Sequence, residues 1–182
     1  FEAISQFLNL PVPIKTKERF LLKSIDYKKL PVHRMIQIEE LYLRKKNHNE
    51  EIRIRKRGQD GKYLYFLTRK RLIKKQENFI KEEELITAQE FHTLKNLIDP
   101  KTSIIEKERI CFLWNNQYFE LDRYKGTNDG LIILEVEQFE PYDVKNMVQM
   151  PPFISIEKKI TGNQRFNTKN LAAKQRKKET PR

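Results

Sequence analysis

The cations of this chain recur at every second position inside runs that read as β-strands. Arg53, Arg55 and Arg57 alternate with Ile52 and Ile54, Lys15, Lys17 and Arg19 alternate through KTKER, Lys107 and Arg109 sit two apart in KERICF, and Lys70 keeps step with Thr68 in YFLTRKR. In a strand, residues i and i+2 point to one face, so each run lays down a row of positive charge. Guanidinium groups grip phosphate oxygens two at a time and lysine adds a point charge, so such rows are suited to a polyanion. The acids are segregated onto other runs, Glu120 and Asp122 in FELD and Glu135 and Glu137 in LEVE. Rows of carboxylates either hold a hard divalent cation such as Mg²⁺ or Mn²⁺ or orient arginines by charge-assisted hydrogen bonds; pairing is the expected role. Other chemistry is missing. His33, His48 and His92 lack ligand spacing, no Ser-His-Asp or Cys-His arrangement is visible, no glycine-rich phosphate loop occurs, and Cys111 and Trp114 read as packing residues.

The whole composition agrees with an anionic partner. The 182 residues carry 37 Lys and Arg against 25 Asp and Glu, a formal charge of +12, and a surface this basic attracts phosphates, nucleic acid or acidic lipid before any specific contact forms. From Lys169 onward the chain is basic and poor in apolar residues, which predicts a solvated tail over 169–182. One cysteine excludes an internal disulfide and a multi-cysteine zinc site, and points to a reducing, cytoplasmic compartment. No apolar run is long enough for a membrane-spanning helix, and no signal peptide is predicted. The first residue is Phe1 rather than Met, which leads us to expect a processed chain or a domain cut from something longer.

These rows must be positioned by sheet. Period-two patterns predict strands over 15–23, 34–44, 51–58, 62–72, 77–86, 104–114, 117–125 and 131–139, joined by polar turns at Asn47-His48-Asn49, Gln59-Asp60-Gly61, Asn115-Asn116 and Asn128-Asp129-Gly130. Connections this short make neighbouring strands antiparallel. Thr87-x-x-Glu90 fits a capping box and predicts a helix over 88–98, and Pro141 opens a shorter one over 141–149. The predicted class is α+β. Periodicity leaves two arrangements open: the charged faces point to solvent from an ordinary sheet, or the eight strands close into a barrel and the charges line its interior.

In chain order the runs RFLL (19–22), IEELYL (38–43), IRIRKRG (52–58), YFLTRKR (65–71), KERICF (107–112), FELDRYKG (119–126), LIILEVEQ (131–138) and ITGNQRFNTKNLA (160–172) resemble the strand motifs of the CYTH superfamily, the triphosphate tunnel metalloenzymes. That resemblance covers most of the chain. It implies an eight-stranded closed tunnel over 15–168 that binds a triphosphate group, with Arg19, Arg53, Arg55, Lys70, Lys107 and Arg109 as phosphate contacts, Lys15 and Lys17 as further cations and Arg165 at one end. The segment FLNLPVPIKTKERFLL is similar to the junction in proteins that join a P-loop nucleotide-binding domain to a CYTH domain, which implies that 1–14 is a linker from such a domain.

Two departures from the family pattern bear on activity. The first-strand glutamates that hold divalent metal in the family are Lys15 and Lys17 here, and the glutamate expected before the T-G turn is Lys159. A charged lysine cannot ligate Mg²⁺. The lost acidic ligands favour a binding module, and the resemblance to the P-loop–CYTH fusion subgroup implies one that needs no cofactor and takes GTP, another nucleotide triphosphate or a phosphoinositide headgroup, with peripheral membrane contact and a role in membrane-protein trafficking. The alternative is a triphosphatase using Mg²⁺ or Mn²⁺ held by Glu120, Asp122, Glu135 and Glu137. Nucleic-acid binding is the third and least favoured reading.

Overall fold

The computed structural model describes residues 14–45, 47, 49–73, 78–140 and 148–174. Nine strands form one hydrogen-bonded series: β1 (Ile14–Ile25), β2 (His33–Tyr42), β3 (Glu50–Gln59), β4 (Lys62–Ile73), β5 (Asn78–Ile86), β6 (Ile105–Trp114), β7 (Gln117–Lys125), β8 (Ile132–Glu140) and β9 (Ile154–Lys159). Two short helices accompany them, α1 (Ala88–Leu94) and α2 (Thr168–Ala172). The strand order is β5-β4-β3-β2-β6-β7-β8-β1-β9. Pairings β1–β8, β1–β9, β2–β3, β3–β4 and β4–β5 are antiparallel.

This corrects the expected eight-stranded closed barrel. The series has two ends, β5 and β9, and it contains a strand that periodicity did not supply. β9 pairs along β1 from Phe20 opposite Lys159 to Ile25 opposite Ile154, with irregularities beside Leu22, while β8 pairs along the other edge. Both edges of β1 are therefore used. The sequence hid β9 because ISIEKK offers only two apolar positions and begins one residue after Pro151-Pro152. The predicted helix over 141–149 falls largely outside the described residues. The basic segment from Lys169 begins inside α2, and residues 175–182 are likewise outside them.

The chain divides into two compact units. One comprises the described residues within Phe1–Arg34, Ile110–Asp122 and Ile132–Gly162; the other, those within Met35–Arg109, Arg123–Leu131 and Asn163–Arg182. Each has its own core. In the first, Phe20, Leu22, Ile110, Phe112, Phe119, Leu121, Leu134 and Val136 pack together, with the Phe112 and Phe119 rings stacked at 5.2 Å. In the second, Leu41, Leu43, Ile54, Leu67 and Phe91 are buried together, and α1 contributes the fully buried Phe91 against Tyr65, ring centroids 5.0 Å apart.

Local chemistry explains the elements. Thr87 Oγ1 accepts from the Glu90 amide at 3.1 Å and the Glu90 carboxylate accepts from the Thr87 amide at 2.7 Å, the reciprocal cap that predicted α1. Asn115 and Asn116 both take positive φ, 48° and 60°, as a two-residue hairpin between twisted strands demands. Gly58 is required for a different reason: a Cβ there would collide with the carbonyl oxygen of Lys62 across the β3–β4 ladder.

Candidate functional site

Residues directly opposite on antiparallel neighbours share a face, so the pairing register arranges the charged residues of the second unit into rows. One row reads Tyr42, Arg53, Thr68, Glu83 across β2-β3-β4-β5; the next reads Glu40, Arg55, Phe66, Leu85; the third is Ile38, Arg57, Leu64. The opposite face carries Leu41, Ile54 and Leu67 into the core. Arginines at alternate positions are thus a direct result of strand geometry, with one face committed to core and the other to charge.

At the centre of these rows lies Glu40, whose side chain is 3% exposed. Arg53 Nη1 donates to its Oε2 at 2.7 Å, and Arg55 Nε and Lys107 Nζ each stand 3.7 Å from its Oε1. Lys107 is itself buried and lies 5.4 Å above the centre of the Tyr124 ring. Arg109 adds positive potential at Arg55. Burial lowers the pKa of Arg55; Glu40 pulls it back up while Arg53 pushes it down, and the net direction is down. Tyr42 is pushed above its ordinary value, by burial first and then by Glu40, and stays a neutral phenol. Toward β5, Thr68 Oγ1 donates to Glu83 Oε2 at 2.7 Å, with Arg53 Nη2 3.9 Å and Lys81 Nζ 3.4 Å from the same oxygen.

One central carboxylate is shared by Arg53, Arg55 and Lys107. The Nε atoms of Arg53 and Arg55 are both buried and both lack a hydrogen-bond partner. Buried donors left unmade cost about 1–3 kcal/mol each, so they mark where an acceptor belongs.

The first unit holds the inverse arrangement. Register sets Lys17 opposite Glu137 and Arg19 opposite Glu135. Lys17 Nζ lies 3.0 Å from Glu137, 3.5 Å from Glu135 and 3.6 Å from Glu120, and Arg19 Nε donates to Glu135 Oε1 at 3.0 Å. Burial tends to lower the Lys17 pKa, but Glu137, Glu135 and Glu120 outweigh it and the net direction is up. The carboxylates therefore converge on an ammonium group. Lys17 stands among these carboxylates, and among the described residues no group of three or more His, Cys, Asp or Glu is placed to hold a metal ion. Asp122 is fully buried.

The predicted residues thus separate. Arg53, Arg55 and Lys107 come together round Glu40, with Arg109 felt at Arg55. Lys70 shares their face but pairs with Glu51 at 3.8 Å, and Lys169 of α2 reaches the same glutamate at 3.0 Å. Arg19 and Lys17 belong to the acidic cluster, Lys15 lies in β1 opposite Phe139, and Arg165 sits exposed on a single turn capped by Asn163. Lys159 pairs with Glu18 at 2.6 Å. Sequence reasoning missed Glu40, Thr68 as a hydrogen-bond donor, and Glu83. Glu40 did leave a signal: in Ile36, Ile38, Glu40, Tyr42 it is an acid interrupting an otherwise apolar row.

The chain matches no family model and no curated protein. Among solved structures, the inorganic triphosphatase NE1496 is similar at 22% identity with a TM-score of 0.64, over 87% of this chain and 94% of that one. A second structure, described as the hypothetical protein NE1496, gives 23% and 0.65 over 87% and 97%. The chain shares its fold with these two structures. A Hippeastrum protein described as a putative adenylyl cyclase with a dominant triphosphatase activity aligns at 14% identity over 70% of this chain and 81% of that one, with a TM-score of 0.47. Within this fold the basic runs IRIRKRG and KERICF supply the cations round Glu40, and the acidic run LIILEVEQ supplies Glu135 and Glu137 beside Lys17. Among the described residues no helix is long and apolar enough to cross a membrane.

Proposed function

We propose that this chain binds a phosphate-rich small ligand, an inorganic or nucleoside triphosphate or a headgroup bearing clustered phosphates, on the β2-β3-β4-β6 face of the second unit. The observation that carries this reading is the pair of buried, unpartnered Nε atoms of Arg53 and Arg55 beside an already shared Glu40. Phosphate oxygens accept from guanidinium groups in the plane these atoms offer. Arg55 and Arg53 are the direct contacts, Lys107 and Arg109 supply the surrounding field, and Glu40 fixes the arginine rotamers. Calorimetric titration with tripolyphosphate tests it. Binding is expected to persist with chelator present, because the contacts are side-chain cations, and to weaken about a hundredfold in Arg55→Ala. Unchanged binding in Arg53→Ala and Arg55→Ala overturns the proposal.

A second reading is hydrolysis of the bound triphosphate. It is favoured by the activity named for NE1496, whose fold is similar over nearly the whole of both chains. Phosphate release from tripolyphosphate that depends on added Mg²⁺ or Mn²⁺ and is lost in Glu135→Gln supports turnover; binding without release under those conditions excludes it.

A further inference from the structure

The face of the second unit opposite the arginine rows is only partly covered. On it Leu41, Ile54 and Leu67 pack under α1, which closes over them with Phe91. Farther along the same strands this face turns polar: Glu39 lies directly opposite Lys56, Gln37 opposite Gly58, and Gly58 opposite Tyr63. Gly58 carries no side chain, and Tyr63 reaches past it to β2, where its hydroxyl donates to Gln37 Oε1 at 2.6 Å. Lys56 Nζ lies over the Tyr63 ring, 4.0 Å from its centre. With Glu106 and Glu108 of β6 these residues line a pocket of about 260 Å³, and all of them belong to the second unit.

The charges at the two ends of the pocket are spoken for. Glu39 is held by Lys95, just after α1, and Glu108 accepts from Lys125 and Arg123. Two charges of opposite sign between them are not. Among the described residues Glu106 is exposed and makes no ion pair or hydrogen bond, and the half-buried Lys56 has the face of Tyr63 but no carboxylate. They do not neutralise each other because β2 runs between β3 and β6, which sets their backbones two strand spacings apart, about 10 Å. The ring holds the Lys56 ammonium from one side by cation–π attraction and leaves its remaining N–H groups directed away from the ring. The amide nitrogen of Gln37 is likewise unused among the described residues.

We infer that this pocket binds a small zwitterion of the amino-acid type, its carboxylate on Lys56 and Gln37 and its ammonium on Glu106. A simple anion would leave Glu106 unmatched, and a simple cation would leave Lys56 unmatched; one molecule carrying both charges spans β2 and satisfies both. Hydrogen bonds in which both partners are ionised are the strong ones. The volume, a little under that of drug-sized sites, suits a free amino acid and is too small for a nucleoside triphosphate. Because the pocket lies on the face opposite Glu40, Arg53 and Arg55, the inference is independent of the phosphate reading.

The test titrates the full chain by calorimetry with each of the twenty free amino acids, then with the methyl ester and the N-acetyl derivative of the tightest binder. The ester lacks the negative charge and the N-acetyl derivative lacks the positive one, so the two contacts are tested without altering the chain. Lys56→Met and Glu106→Gln test them from the other side, with melting temperatures to verify folding. Each variant is expected to weaken the free amino acid about tenfold. The ester should be indifferent to Lys56→Met and sensitive to Glu106→Gln, and the N-acetyl derivative the reverse. The proposal is overturned if no free amino acid binds with a Kd below about 10 mM, if either derivative binds as tightly as the free amino acid, or if neither variant changes the affinity.

Discussion

The two units solve the same problem with opposite signs. In the first, three carboxylates gather round the ammonium of Lys17; in the second, Arg53, Arg55 and Lys107 gather round the carboxylate of Glu40. Both arise from one rule, that antiparallel register brings residues far apart in sequence onto one face. They differ in what is left over. Lys17 has a carboxylate on each of three neighbours, and Arg19 takes a further share of Glu135, whereas the Arg53 and Arg55 Nε donors are still without acceptors. Charge clusters alone do not identify a binding site; what separates the two is whether the cluster closes on itself.

The comparison is broken most severely at Glu40. Replacing a buried, shared counter-ion leaves its cations facing one another, so Glu40→Gln is expected to lose about 3–5 kcal/mol in urea unfolding. Added tripolyphosphate should recover much of that loss if phosphate takes the position the carboxylate left, by the linkage of binding to folding. Full stability of the variant without ligand would show that Glu40 does not balance the arginines.

Lys17→Met is the counterpart in the first unit and should be milder. Lys17 is 43% exposed, so solvent screens the cluster and the expected cost is about 1 kcal/mol at neutral pH. In the unaltered chain the Lys17 pKa is raised above 10.5, so its contribution is complete below that value and disappears as pH climbs through the higher folded pKa. Melting temperatures of the unaltered chain and of Lys17→Met across pH 7–11 would check the sign.

The smallest effect concerns a pair that closes locally. Glu108 is held below its ordinary 4.5, first by the hydrogen bond from Lys125 and then by that from Arg123. Its stabilisation is present above pH 4.5 and is lost as pH drops through the lower folded value. Glu108→Gln should therefore lower stability slightly at pH 7 and make acid unfolding less steep, the difference closing as pH falls below 4.5; an identical acid transition in the variant would remove Glu108 from the account.

Much of this was legible before any coordinates. Alternation sorted Arg53 and Arg55 from Ile52 and Ile54 because a strand has only two faces, and the Thr87 to Glu90 spacing located α1 because a cap is a local device. What failed was non-local. No local pattern states that Lys17 will stand opposite Glu137, so its direction stayed open between solvent and ligand. Glu40 looked like one more acid in IEELYL until β3 and β6 supplied its partners. The closed eight-stranded barrel was overturned for the same reason: whether β1 meets another strand along its second edge depends on 130 or so intervening residues, and ISIEKK is too short to announce itself.

The position of β5 at the end of the strand series has a bearing on solubility. A terminal strand invites a second molecule to continue the ladder. On β5 the run Lys81-Glu82-Glu83-Glu84 occupies the middle of the element, so an antiparallel copy centred on Glu83 would set Glu83 against Glu83 and Glu82 against Glu84 at the heart of the contact. Self-extension is discouraged by the same residues that flank the arginine rows, and neutralising Glu82 and Glu84 for crystallisation would invite fibres.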